Sequence, residues 1–119
     1  MALTWHDVVT MATGLPEVEE STWWRSPALK VAGKGLARLR VEAEGGLMLR
    51  CPMVEKDALL ASGDPAFYTT PHYDGHPCVL VDLDRIDAGR LAELLDAAWW
   101  QCAPARVRRS RESAEEAGR

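Results

Sequence analysis

Hydrophobic and polar positions in this chain change period several times, and each change marks an element. Trp5, Val8, Val9 and Ala12 fall at i, i+3, i+4 and i+7, the spacing of one helix face. Thr4 followed by Asp7 is a capping-box variant, and Gly14 and Pro16 stop the helix, so the pattern predicts a short amphipathic helix over residues 5–12. Residues 21–24 read as a short strand that Pro27 ends, because proline cannot donate to a ladder. Residues 29–31 read as a further short strand, followed by a turn at Gly33, Lys34 and Gly35.

Residues 36–51 carry the clearest local signal, a β-hairpin. Alternation places Ala37, Leu39, Val41 and Ala43 on one face and Arg38, Arg40 and Glu42 on the other, as in a half-buried strand. With Glu44, Gly45 and Gly46 as a three-residue loop, Ala43 pairs with Leu47, Val41 with Leu49 and Leu39 with Cys51, so every core-facing pair is apolar. This register predicts that Arg38, Arg40 and Arg50 share one solvent-exposed sheet face.

Further along, residues 53–61 between Pro52 and Gly63 predict a helix with Val54, Leu59 and Leu60 inward. Residues 67–77, rich in Pro, Gly, Thr and His, read as a loop with at most one irregular strand. The short, nearly continuous apolar run over residues 78–83 favours a central strand. Asp87 caps a final helix over about residues 88–102, with Leu91, Leu94, Leu95 and Ala98 on its core stripe and Pro104 after it. Residues 105–119, basic and then acidic without a hydrophobic period, read as a flexible charged tail. One domain over residues 1–104 is therefore expected, and 119 residues suffice for one core.

Composition adds limits. The start of the chain lacks the basic and apolar regions of a signal peptide, and no apolar run approaches a membrane span. A cytoplasmic protein without membrane contact is expected. Cys51, Cys78 and Cys102 are widely spaced and odd in number, which signals neither a disulfide framework nor a zinc-cysteine site. The formal net charge is −4, yet residues 21–50 hold six basic groups against two acidic, and residues 51–103 hold nine acidic against three basic. Charge is polarised along the chain, and that bears on partners more than the sum does.

Several segments resemble the MmcQ/YjbR family in order and spacing. They are Gly14-Leu15-Pro16-Glu17, the run from Ser26-Pro27 to Gly33-Lys34, Leu49-Arg50-Cys51, Pro71-His72-Tyr73 and Val79-Leu80-Val81-Asp82-Leu83. The similarity covers about residues 14–100, and Arg25 and Leu29 depart from it, standing where the family favours a glycine and an aromatic. What the resemblance implies is an α+β, two-layer, frataxin (CyaY-like) fold with an antiparallel sheet and helices packed on one face. It also implies a double-wing DNA-binding motif, in which β-hairpins present basic side chains.

Candidate chemistry follows from these residues. No G-x-S-x-G element or phosphate-cradling glycine loop is present, and a non-catalytic protein is expected. His72, Asp74, His76 and Cys78 alternate through one loop and are zinc-ligand types, but their Pro- and Gly-rich setting favours turn and packing roles, so neither metal nor cofactor is expected. The leading expectation is a DNA-binding module with Lys30, Lys34, Arg38, Arg40 and Arg50 as phosphate contacts. The alternative is a small-molecule protein whose Trp23, Trp24, Trp99, Trp100, His72 and Tyr73 line a pocket for a planar ligand. Either fits a monomer or a weak homodimer, the latter if the tryptophans form an interface.

Overall fold

A computed structural model describes residues 2–40 and 46–118. In chain order the elements are α1 (Trp5–Thr13), β1 (Val18–Trp23), β2 (Ser26–Val31), β3 (Lys34–Leu39), β4 (Leu47–Arg50), α2 (Met53–Ala61), β5 (Phe67–Tyr68), β6 (Cys78–Val81), α3 (Ala88–Cys102) and α4 (Ala105–Ala117). The strands form one six-stranded sheet in the order β1-β2-β3-β4-β6-β5, every neighbouring pair antiparallel. Among the described residues no helix is long and apolar enough to cross a membrane.

The predicted capping box forms at α1: the Asp7 N–H donates to Thr4 Oγ1, and the Thr4 N–H donates to the Asp7 carboxylate at 2.8 Å. Helices α1 and α3 cover one face of the sheet. There Val8, Ala12, Leu91, Leu95 and Trp99 pack against Leu29, Val31, Ala37, Leu49, Val79 and Val81 in the main core. This is the two-layer α+β arrangement that the family resemblance implied.

Two hairpin turns set the first three strands. Trp24 and Arg25 connect β1 to β2, and Ala32 and Gly33 connect β2 to β3, with all four φ angles positive. Paired positive φ angles are the mark of a type I′ turn, whose twist matches that of the flanking strands. Pro27 does not end a strand as expected. It sits inside β2 opposite Thr22, while the β2–β3 ladder begins only at Ala28 and Arg38, so no recorded β3 pairing needs its missing N–H. The β2–β3 register shifts beside Leu29 and Lys30, leaving Leu36 as an extra residue. That bulge explains why adjacent Leu36 and Ala37 both enter the main core.

The hairpin register differs from the expected one. Leu39 pairs with Leu47 and Ala37 with Leu49, and the Arg40 N–H donates to the Gly46 carbonyl at 2.9 Å. The ladder is thus displaced by an even number of residues from the predicted Ala43–Leu47, Val41–Leu49 and Leu39–Cys51 pairs. An even shift leaves every side chain on its own face. Ala37 and Leu49 therefore still face the helices, and Arg38 still faces away. Val41 and Ala43, which entered the expected pairing, lie outside the described residues.

Three further expectations are corrected. On α2, Val54 is 83% exposed whereas Lys56 is 2% exposed; of the three predicted inward residues, Leu59 is buried and Leu60 packs at the core margin. Residues 105–117 form α4 instead of an unstructured tail, anchored by buried Val107 and by Arg111, which packs on Trp99 and Trp100. Helix α4 is mostly polar, so the absence of an apolar stripe hid it; docking on α3 supplies what its own sequence does not. The third concerns the arginine face, which is covered.

Candidate functional site

The sheet face turned away from α1 and α3 would be bare without the connection between β5 and β6. It is covered instead by the loop of residues 69–77, which builds a second, smaller core of Met48, Tyr73, Cys78 and Leu80, with Trp23 and Tyr68 packed on it. Local turns shape the loop, since the Tyr73 and Asp74 N–H groups both donate to the Thr70 carbonyl. Lys56 then ties it to α2. Its ammonium donates to the Tyr73 carbonyl at 2.6 Å and to the His76 carbonyl at 2.9 Å. A buried cation is tolerable only when hydrogen-bonded in this way.

Under that loop lie the hairpin arginines. Arg38 and Arg40 are each 7% exposed, so the expected solvent-exposed face of Arg38, Arg40 and Arg50 is corrected. Arg38 donates through one terminal nitrogen to Ser26 Oγ at 3.1 Å and through the other to the Tyr73 hydroxyl at 2.6 Å. Arg40 lies over the Tyr73 ring, 5.5 Å from its centroid, and reaches the Tyr68 hydroxyl at 3.5 Å. Arg50 is half-buried at the end of β4 opposite Cys78. Lys30 is half-buried on β2, and Lys34 is exposed at the start of β3.

Between the loop and the β1–β2 hairpin is a cleft of about 450 Å³, with Trp23, Trp24, Ser26, Arg38, Met48, Arg50, His72, Tyr73 and Cys78 in its walls, and His76 and Pro77 beside them. Trp24 stands 79% exposed at the mouth. Trp23 lies lower, and its ring occupies the space over Gly35: a Cβ there would come within 2.6–2.8 Å of three ring atoms. Glycine at this strand position is what lets the indole lie against the sheet. On the opposite wall, the His72 ring meets Tyr73 edge-on at 4.9 Å and His76 nearly parallel at 6.5 Å.

The cleft thiol is not set up for nucleophilic work. Burial pushes Cys78 above the ordinary thiol range, outweighing the opposing pull of Lys56 and Arg50. Cys51 is pushed up to about 12, first by burial and then by Glu55. A protonated buried thiol is a poor nucleophile. Among the described residues no group of three His, Cys, Asp or Glu side chains is placed to hold a metal ion.

The structure divides the aromatic residues named from sequence. Trp23, Trp24, His72 and Tyr73 converge on the cleft. Trp99 and Trp100 do not, because α3 lies on the other side of the sheet. Trp99 is fully buried in the main core and donates to the Pro16 carbonyl at 2.8 Å, while Trp100 packs edge-on against it and beneath Arg111. Ser26, Met48, His76 and Cys78 also line the cleft, although sequence reasoning had not grouped them with it. A signal for this cover was present. Met48, Cys78 and Leu80 share the arginine face, and the unbroken apolar runs of β4 and β6 demand that both faces be covered.

Comparison with known proteins agrees with this architecture. Residues 13–101 match the YjbR family model. The uncharacterized proteins Rv2570 of Mycobacterium tuberculosis and Mb2600 of Mycobacterium bovis are each 34% identical over 115 residues, covering 85% of this chain and 89% of the relative. Among solved structures, the crystal structure of Deinococcus radiodurans protein DR2400, with its DUF419 domain, superposes with a TM-score of 0.66 at 21% identity, covering 81% of this chain and 75% of that one.

Proposed function

The chain belongs to the YjbR family, and from that premise we propose that it is a non-catalytic binding protein whose ligand is a planar small molecule seated in the Trp23–Trp24 cleft. The observation that carries this reading is a concave site with an exposed indole at its mouth, a second indole and Tyr73 in its walls, and a few polar groups in fixed positions. Sites for small organic ligands have this make-up and fall in this size range. The protonated state that burial enforces on Cys78 supports recognition over covalent chemistry.

A DNA-binding role through the hairpin cations has less support from this geometry. Phosphate contacts need donors at the surface, whereas Arg38 has both terminal nitrogens turned to Ser26 and Tyr73, and the buried Arg40 turns one to Tyr68, within the fold. Of the five cations, Lys34 is exposed and Lys30 and Arg50 are half-buried.

Tryptophan fluorescence separates the two roles. Titration with planar aromatic compounds is expected to quench emission saturably, and Trp24→Ala is expected to weaken binding by about tenfold, since stacking on one aromatic contributes roughly 1–3 kcal/mol. Binding of duplex DNA with a log–log salt slope of roughly −3 to −4.5, unaffected by Trp24→Ala, would replace the small-molecule reading with the DNA one.

A further inference from the structure

We infer that the open edge of β1 is a docking site for an extended, basic peptide segment of another protein, taken up as an added strand of the sheet. The first observation is where the β1 backbone points. The Ala32 N–H donates to the Glu17 carbonyl at 3.0 Å, and the two-residue turn at Trp24 and Arg25 closes on the Trp23–Ser26 pair. Bonded pairs alternate along an antiparallel ladder, so Glu19, Ser21 and Trp23 bond to β2, while Glu20 and Thr22 turn their N–H and C=O groups outward. Pro27 fits this alternation, since opposite Thr22 it needs no N–H toward β1. The outward N–H of Val18 is bonded to the Leu15 carbonyl at 3.3 Å. Among the described residues β2 is the one strand paired with β1, which ends the sheet. The opposite edge strand, β5, is only two residues long.

The second observation is charge, and it decides the occupant. Glu19 and Glu20 are exposed, and β1 carries no basic residue. Their side chains leave opposite faces of the sheet, so an added strand meets a carboxylate on either face. Charged side chains on an edge oppose pairing with a copy. Two β1 strands paired antiparallel would gather Glu19 and Glu20 of both copies in one short ladder, and the register centred on Glu20 sets that residue against itself, which is destabilising. Lysine or arginine across from Glu20 reverses the sign and stabilises the same ladder. Trp24, 79% exposed at the turn that ends β1, offers a further cation the face of an indole. Main-chain bonds at Glu20 and Thr22 supply the affinity of strand addition, and the alternate side chains its selectivity. The cleft need not be filled for this, because Glu20 and Thr22 lie outside its walls.

Amide hydrogen exchange, read residue by residue on the intact protein, tests this with a capped peptide of alternating lysine and valine and its glutamate–valine counterpart as control. In the free protein the Glu20 and Thr22 amides are expected to exchange fast, and those of Glu19 and Ser21 slowly. Saturating lysine–valine peptide is expected to slow Glu20 and Thr22 by about tenfold or more, and the glutamate–valine peptide to leave them unchanged. Thr22→Pro removes one outward donor at an edge position where proline is tolerated, and is expected to weaken the lysine–valine peptide by about fivefold. If that variant does not fold, the protection pattern of the parent still decides. Equal binding of the two peptides, binding of neither, or binding that leaves Glu20 and Thr22 unprotected would overturn the inference and leave the planar-ligand reading intact. Slow exchange of both amides in the free protein, with a sedimentation mass of two chains, would give the edge to a second copy and overturn it as well.

Discussion

Trp24 and Arg25 hold φ angles of 56° and 61°, in the left-handed region that costs an L-residue about 1–2 kcal/mol. Strain of this kind concentrates at functional positions, and here it places the exposed indole over the cleft mouth. Arg25 occupies the second central position of the type I′ turn, where glycine is favoured. Arg25→Gly is therefore expected to stabilise the fold by about 0.5–1 kcal/mol, the relief of strain being partly offset by the added freedom of glycine in the unfolded chain. A rise in the urea midpoint at unchanged slope would show it; a fall would mean that the Arg25 side chain makes a contribution larger than the strain.

At the scale of elements, the cleft depends on how α2 grips the loop of residues 69–77. Lys56 contributes no apolar surface to the helix pattern, yet it is among the most buried side chains because it bonds two loop carbonyls. Lys56→Met should keep α2 and leave those carbonyls without their donor, at a cost of about 2–4 kcal/mol. Hydrogen exchange is expected to accelerate at the amides of Tyr73, Asp74 and His76, whose local turn bonds depend on the loop staying seated. Unchanged protection there would show that Tyr73 packing alone holds the loop. The periodicity of α2 could not reveal this, since the partner of Lys56 is a backbone segment 17 and 20 residues away.

On the scale of the whole molecule, α4 lies beyond the family match, which ends at residue 101. It is fastened through charge and aromatic faces. Arg111 sits 4.8 and 4.7 Å from the Trp99 and Trp100 ring centroids and 2.6 Å from the Asp96 carboxylate, while Arg106 pairs with Glu17 at 3.1 Å. Arg111→Met is expected to lower stability by about 1 kcal/mol, the range of a cation–π contact with partial desolvation, and to shift tryptophan emission to the red as α4 loosens. Ligand binding in the cleft should be unaffected, because the sheet separates the two sites. A change in ligand affinity would show that α4 communicates with the cleft.

Alternation and caps are local, so they determined much of this protein by themselves. Thr4 with Asp7 specified the start of α1, Leu91, Leu94 and Leu95 the buried stripe of α3, and the alternation of Ala37 with Arg38 which of the two faces the helices. Facing survives even a displaced register, because a strand repeats every two residues and the displacement is even. What alternation cannot say is whether the second face meets water. That was decided by the loop of residues 69–77 folding over Arg38 and Arg40, contacts made across more than 30 residues of sequence. Likewise, adjacency in sequence could not tell the two tryptophan pairs apart: one belongs to a strand and turn beside the loop, the other to a helix behind the sheet. Only the tertiary structure separates them, because a site is defined by which faces are brought together in space, and a residue's own neighbours fix the face it occupies and not what comes to cover it.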